Sequence, residues 1–584
     1  MKNITLPQKF SRNSQRSVFL LISLFLLCFV LVPRAHAVSP PPDGGYPNGN
    51  TAEGDSALFS LTTGFHNTAV GAGALYSDTI GSANTANGFQ ALNSNLDGNL
   101  NTATGYRALL SNTIGDRNTA DGYETLFRNN TGVSNTAIGS YALFGNEIGN
   151  SNTATGDSAL ENNSRGNRNT ATGDLTLVGN TDGDRNTANG SQALRSNKGS
   201  YNTAIGADSL FMNTTGLFNT ATGDSALRTN STGSQNTATG VAALENNTMA
   251  SKNTADGYQA LLSNTSGTQN TATGVNALLN NLTASNNTAT GFDALFQNST
   301  GVQNTATGGD ALLNNTTASN NTADGFEALL SNTSGTQNTA TGAFALRSNT
   351  ANNNTAVGCQ ALMNSTGSNN IALGSSAGSG ITTSSNNIDI GAFGQAGDTN
   401  TIRIGKGGLQ TRAFMQGIRG RTTENANAIP VLIDSAGQLG TQSSSRRFKH
   451  DIKPMDANSE SLLALKPVTF HYKSDKTKRP EFGLIAEEVT EVNPDLVVRD
   501  DKGEIYTVRY DAVNAMLLNE FLKEHKRVED QAREMQEQKS TISELRKGLD
   551  TVVAQLKEQA SQIQKVTAQL ETSKTASKVV VNNQ

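Results

Sequence analysis

Asparagine, glycine and small apolar residues return along most of the chain with a period of 17 residues, interrupted by a few spacings of 16. Each unit reads N-T-A-x-G, followed by an Ala-Leu pair and a polar stretch that ends at the next asparagine. The period begins at Asn50, Asn67 and Asn84 and continues to Asn370 and Asn387. A repeat this short is typical of a solenoid, in which each repeat forms one coil.

The residue types inside a unit predict how the coils pack. The repeated glycine, first seen at Gly54, Gly71 and Gly88, indicates a bend with positive φ or a close approach to the neighbouring coil. The Ala-Leu pairs give each coil one large apolar side chain, so the core is thin. Because one such coil cannot fold alone, we predict a parallel β-solenoid of about 21 coils, about 100 Å long, with Asn and Thr ladders along its faces.

A disordered Asn/Thr/Gly-rich segment is the alternative interpretation of this composition. Disorder gives no reason to keep Gly, Ala and Leu in phase over residues 50–405. The phase therefore favours the solenoid.

An apolar run over residues 18–32 follows a basic N-terminal segment and precedes the small residues Ala35 and Ala37. This order predicts a signal peptide over residues 1–37, cut between Ala37 and Val38. A membrane anchor is the alternative, but a run of about 15 residues is short for a span of roughly 20. We expect the mature protein to be exported, to lie outside the cell or at its surface, and to have no integral membrane span.

Near the C-terminus, apolar residues alternate at spacings of three and four, which is typical of a coiled-coil seam. A single amphipathic helix packed on its own domain is the alternative, but the length and the Glu, Lys and Gln-rich outer positions favour self-association. The seam residues are Ile542, Leu545, Leu549, Val552, Leu556, Ile563, Val566 and Leu570, with Gln559 in phase.

Composition narrows the possible functions. Once the signal peptide is removed, Cys359 is the remaining cysteine, so an internal disulfide cannot form. The formal net charge of -5 gives no reason to expect a nucleic-acid partner, and the absence of tryptophan argues against a stacking platform for bases. The repeats offer neither a His or Cys cluster nor paired carboxylates in a distinctive setting, so we predict no metal and no cofactor.

The candidate chemistry lies in the segment 443–452. A serine hydroxyl is a poor nucleophile at neutral pH, and a lysine activates it when desolvation lowers the lysine pKa. A Ser/Lys pair is a known minimal arrangement for activating a serine nucleophile in this way. Taken alone, a serine and a lysine in a basic segment indicate no more than a solvated loop.

The surroundings change that interpretation. Ser444 and Lys449 stand in the pattern S-x-x-R-aromatic-K-x-D-I, which also contains Asp451 and resembles the self-cleavage motif of the intramolecular chaperone auto-processing domains of phage endosialidase tailspikes. The segments 482–489, 493–497 and 508–510 resemble the same family, so the resemblance covers residues 444–525. It implies that Ser444 is the nucleophile, that Lys449 is its general base, and that the cut falls between Ser443 and Ser444.

Two departures from that family keep alternatives open. Three consecutive serines, Ser443, Ser444 and Ser445, leave the register of the motif open, and the downstream R-aromatic-K-x-D-I pattern favours Ser444. The family usually has Asp directly after the nucleophile, where this chain has Ser445. If Ser445 weakens the site, the domain is a trimerisation chaperone that stays attached.

The N-x-A-x-G repeats resemble the head repeats of trimeric autotransporter adhesins, which are left-handed parallel β-rolls that assemble as trimers. The period differs, since the adhesin repeat is about 14 residues long and here only the last spacing, from Asn387 to Thr401, equals 14. Both resemblances imply a homotrimer.

These patterns together predict a mainly β protein: an exported, trimeric, adhesin-like fibre whose C-terminal domain chaperones trimerisation and cleaves itself off in a single-turnover Ser/Lys endopeptidase reaction. Its expected partners are its own copies and a surface glycan or host receptor. The alternatives are a purely structural surface filament with an uncleaved trimerisation domain, and a polysaccharide-degrading, tailspike-like hydrolase. The predicted segments are the signal peptide 1–37, a linker 38–49, the β-solenoid 50–405, a neck 406–443, a small α+β chaperone domain 444–525, and a coiled coil with tail 526–584.

Overall fold

The computed structural model describes residues 46–416, 418, 427–434, 436–500 and 502–577 of the 584-residue chain. The predicted signal peptide 1–37, its cleavage site at Ala37 and Val38, and most of the predicted linker lie outside the described residues. The chain divides into two compact units between Phe414 and Met415. None of the helices in the described part of the chain combines the length and the apolar character needed to cross a membrane.

The first unit is a parallel β-solenoid, which confirms the prediction from the repeat. Each coil contributes one strand of three residues, and 22 such strands form a single sheet in which consecutive coils pair. The register keeps equivalent residues side by side, so that Thr51 pairs with Thr68 and Ala52 with Ala69. Strands β1–β22 are Thr51–Glu53, Thr68–Val70, Thr85–Asn87, Thr102–Thr104, Thr119–Asp121, Thr136–Ile138, Thr153–Thr155, Thr170–Thr172, Thr187–Asn189, Thr203–Ile205, Thr220–Thr222, Thr237–Thr239, Thr254–Asp256, Thr271–Thr273, Thr288–Thr290, Thr305–Thr307, Thr322–Asp324, Thr339–Thr341, Thr355–Val357, Ile371–Leu373, Ile388–Ile390 and Ile402–Ile404.

The core of the solenoid is built from alanine at the strand centre and from one leucine per coil. Ala69 and Ala86 are fully buried, and so are Leu75 and Leu92 in the turns that follow. Both leucines have a φ of 52°, which is uncommon for a large residue. The leucine therefore fills the core and also turns the chain, and the second role was not visible in the sequence.

The asparagines that begin each N-T-A-x-G motif stack inside the coils, so the prediction that they line the faces is wrong for them. The strand threonines do align in register at outward positions, as Thr220 and Thr237 show. Asn67 is fully buried; its backbone N–H donates to Asn50 Oδ1 at 2.8 Å, and its side-chain amide donates to the Gly81 carbonyl at 2.7 Å. In a second ladder, Asn112 Nδ2 donates to Asn95 Oδ1 at 2.7 Å. Because an asparagine side chain both donates and accepts, each one satisfies buried polar groups of the adjacent coils.

Asp78 is the first residue of the second ladder, at the position where the next coils carry Asn95 and Asn112. Its Oδ1 accepts from the Gly81 N–H at 3.0 Å and from Asn95 Nδ2 at 3.1 Å, while its Oδ2 has no hydrogen-bond partner. Burial raises the pKa of Asp78 from 3.8 to about 7, because the hydrogen bonds from Asn95 and Gly81 do not offset the loss of water and the nearby charge of Asp97 adds to the rise. The carboxyl therefore prefers to keep its proton in the folded coil.

We expect the first coils to lose stability as pH rises from about 4 to about 7, since folding retains a proton on Asp78 that the unfolded chain releases at its ordinary pKa. The full cost, reached above pH 7, is roughly 4 kcal/mol at most. Asp78→Asn should remove this dependence, because asparagine continues the ladder. Hydrogen exchange of residues 51–87 at pH 5 and pH 8 measures the effect, and equal protection of the wild-type coils at the two pH values contradicts it.

The second unit combines a small α+β region with a long helix. Strands β23 (Leu432–Ile433) and β24 (Leu439–Gly440) pair antiparallel, as do β25 (Val468–Phe470) with β26 (Glu481–Gly483) and β27 (Val497–Arg499) with β28 (Ile505–Val508). The α-helices are α1 (Ala486–Val492) and α2 (Tyr510–Ser577). Short 3-10 helices occupy Pro47–Gly49 in the first unit and Arg446–Phe448, Asp456–Ala464 and Pro494–Leu496 in the second.

The beginning of α2 packs on the α+β region, and the rest of the helix does not. Met516 joins a small core with Val489, Leu496 and Val508. One turn later, the buried Ser459 donates to Glu520 Oε1 at 2.5 Å and accepts from Asn519 Nδ2 at 2.6 Å. Residues 531–573 of α2 are exposed, so the predicted coiled-coil seam packs against none of the residues that the structure describes.

Candidate functional site

The candidate site begins directly after the β23–β24 pair. Ser445 is extended, with φ -68° and ψ 139°, and the 3-10 helix Arg446–Phe448 follows it. The Phe448 N–H donates to the Ser445 carbonyl at 3.0 Å, and the Lys449 N–H donates to the Arg446 carbonyl at 3.1 Å. This turn brings the chain back on itself, so side chains five residues apart face each other.

The turn brings Ser444 and Lys449 together. Lys449 Nζ donates a hydrogen bond to Ser444 Oγ at 3.1 Å. This distance is within the range expected of a nucleophile and its base. Both side chains are exposed, and exposure does not supply the desolvation that a general-base lysine needs. The pair is therefore assembled in the single chain but remains open to water.

The predicted cleavage position lies at the edge of a cavity of about 700 Å³. Ser443, Ser444 and Lys449 line one side of it, and the beginning of α2, including Tyr510 and Asp511, lines another. The N–H of Ser445 donates to Ser443 Oγ at 3.4 Å, across the residue that contains the candidate nucleophile. The cavity leaves room for water molecules beside the Ser443–Ser444 peptide bond.

Sequence reasoning missed two features of the site. His450 Nδ1 lies 2.9 Å from Asp451 Oδ2, and both side chains are exposed, so Asp451 has a partner next to Lys449. Asp511 lines the same cavity as Ser444 although it is far away in sequence. The resemblance over residues 508–510 ends at the first residue of α2. It was the one feature of the sequence that pointed to the side of the cavity that α2 forms.

Other chemistry finds little support in the described part of the chain. No group of three or more His, Cys, Asp or Glu side chains there could hold a metal ion. Cys359 is exposed and is not in a disulfide. The Ser444–Lys449 pair is therefore the best-formed candidate for covalent chemistry among the described residues.

No curated protein and no solved structure matches this chain. A family model described as chaperone of endosialidase matches residues 444–498. The match begins at Ser444, includes Lys449 and follows the β-solenoid, an order consistent with a tailspike-type fibre. Over residues 444–498, the α+β region of this protein is thus similar to the chaperone-of-endosialidase family.

Proposed function

We propose that this chain is an exported, homotrimeric, tail-fibre-like surface protein whose C-terminal unit assembles three copies and then cuts itself off. The observation that carries the proposal is the hydrogen bond from Lys449 Nζ to Ser444 Oγ, at the first residue of the segment that matches the chaperone family. The β-solenoid remains after the C-terminal unit has been cut off, and it binds a surface glycan or host receptor.

The cut falls between Ser443 and Ser444. A neutral Lys449 accepts the proton of the Ser444 hydroxyl, and Oγ attacks the carbonyl carbon of Ser443. The new C–O bond replaces the C–N bond of the peptide, and Lys449 returns the proton to the freed amino group of Ser444. Water then hydrolyses the ester, which leaves a carboxylate on Ser443 and restores the hydroxyl. Each chain contains one such bond, so each is cut once.

Assembly rests on α2. The seam residues from Ile542 to Leu570 are all exposed in the single chain, and they repeat at the spacing that lets helices pack knobs into holes. Three copies joined through this seam hold their solenoids at high local concentration. That matters because parallel strands pair slowly and slip in register when their sequences repeat.

Assembly also controls cleavage in this proposal. In the single chain Lys449 is exposed, and its Nζ lies within hydrogen-bond distance of Ser444 Oγ but is not shielded from water. When neighbouring copies cover the cavity beside Ser444, water is excluded and the neutral form of the lysine is favoured. Cleavage therefore follows assembly and does not compete with it.

The coupling predicts that a seam variant loses both functions. Leu549→Asp together with Leu556→Asp places charges in the seam, and we expect a monomer that stays uncut, because the cavity is never covered. Ala554→Asp together with Ser561→Asp is the matched control, since these residues lie on the opposite side of the helix and introduce the same charge. Sedimentation velocity gives the oligomeric state, and denaturing electrophoresis gives the cut fraction.

Two outcomes of that comparison contradict the proposal. A monomeric seam variant that is cut at the wild-type rate shows that cleavage does not need assembly. A seam variant that stays trimeric shows that α2 does not hold the copies together.

A further inference from the structure

The last coils of the solenoid differ from the others in the two outward positions of their strands. In β1–β19 the first position is always threonine, and the third is mostly threonine, asparagine or aspartate. In β20–β22 both positions are apolar, and the register aligns them in two columns. We call these six side chains the terminal apolar face: Ile371, Leu373, Ile388, Ile390, Ile402 and Ile404.

The terminal apolar face is open in the single chain. Leu373 is 49% exposed, and the other side chains of the face are exposed too, except Ile388, which is half-buried. The charged residues of these coils are kept off the face. Asp389 is buried at a strand centre, and Arg403 donates to Asp398 at 2.5 and 2.6 Å. A contiguous apolar surface without charge on a monomer is typical of a protein-protein contact.

The remainder of the same strand surface is unsuited to self-contact. The third strand position carries Asp121, Asp256 and Asp324, and all three are exposed. In a symmetric assembly of parallel rods each of these carboxylates lies near its own copies, and like charges in contact are costly. Apolar residues do occur there, such as Ile138 and Ile205, but singly, with polar neighbours in the register.

We propose that the terminal apolar face is the surface through which three copies of the solenoid stay joined after the C-terminal unit leaves, and that the coils before β19 remain separate. The inference rests on the proposed trimeric assembly and names the part of the rod that maintains it. The occupant of the face is the same face on two other copies. The face is apolar and uncharged, so copies of it can contact one another without burying a charge. It ends at Ile404, about 40 residues before the proposed cut, so the joined C-terminal units bring the faces together.

Disulfide trapping in the full chain tests this proposal. Cys359→Ser first removes the remaining thiol of the mature protein. Leu373→Cys then places a thiol in the terminal apolar face, and Ile205→Cys places one at the same strand position ten strands earlier, where the native residue is 43% exposed. With copper-phenanthroline as the oxidant that takes up two electrons per disulfide, we expect linked pairs of chains for Leu373→Cys and at least ten-fold fewer for Ile205→Cys.

The outcomes separate this inference from the proposed function. The same two cysteine variants are also made with Ser444→Ala, and their oligomeric state is measured before oxidation. If these chains are trimers but Leu373→Cys gives no linked pairs, or if both positions link equally, the terminal apolar face is not the confined contact and only this inference fails. If they are monomers, the trimeric assembly fails as well.

Discussion

Replacing Gly308 with alanine is expected to unfold the coils around it, whereas the same change at the neighbouring Gly309 is expected to leave the solenoid folded. Gly308 has a φ of 125°, and a Cβ there would lie 2.6 Å from the Gly325 carbonyl oxygen. At Gly309 the backbone lies outside the left-handed region, and the nearest atom, in the Phe326 ring, would be 3.5 Å away. The strained φ and the backbone clash together cost roughly 3–5 kcal/mol.

Unfolding of the two variants by urea, followed by circular dichroism, measures this difference. Because each coil contacts only its neighbours, damage at Gly308 is expected to separate two shorter solenoids, and hydrogen exchange should place the loss of protection around β16 and β17. Gly309→Ala should change the free energy of unfolding by less than about 1 kcal/mol. Equal midpoints for the two variants contradict the close stacking of the coils.

The second large effect is expected at the candidate cleavage site. Ser444→Ala removes the nucleophile, so the chain should remain uncut while still forming trimers, because assembly needs the fold and not the hydroxyl. Lys449→Ala removes the proton acceptor and should slow cleavage by roughly 10²–10⁴-fold. Time courses of cutting after refolding, followed by denaturing electrophoresis, measure both rates.

Lys449→Arg separates the role of the base from the role of the charge. Arginine keeps a positive donor beside Ser444, but it does not lose its proton in proteins. We therefore expect Lys449→Arg to be as slow as Lys449→Ala. If Lys449→Arg is cut at the wild-type rate, Lys449 acts through its charge and is not the general base.

The repeat allowed the solenoid to be predicted because glycine, alanine and leucine each have a specific role in a stacked coil. Glycine allows the tight bend, and alanine and leucine fill the thin core. The buried leucines and the positive φ of the repeated glycines, such as the 125° of Gly71, follow directly from the period. The buried place of Asn67 did not, since asparagine is usually a surface residue and its burial depends on the ladder through Asn50. Similarly, nothing in leucine as a residue type indicates the left-handed backbone of Leu75.

The candidate site could be predicted only where its residues are close in sequence. Ser444 and Lys449 lie in one turn, so the motif was enough to name both. Asp511 lines the same cavity from the beginning of α2, and only the fold of the second unit brings it there. The coiled-coil seam stays a prediction, because its partners are other copies and the described residues belong to one chain.

Self-cleavage is tested most directly by the intact mass of the wild-type chain after expression, folding and the proposed export. Signal-peptide removal and self-cleavage together should give two species, one of 406 residues from Val38 to Ser443 (443 − 37) and one of 141 residues from Ser444 to Gln584 (584 − 443). Native mass spectrometry should find the larger species as a trimer. A single uncut species of 547 residues (406 + 141) contradicts self-cleavage before Ser444.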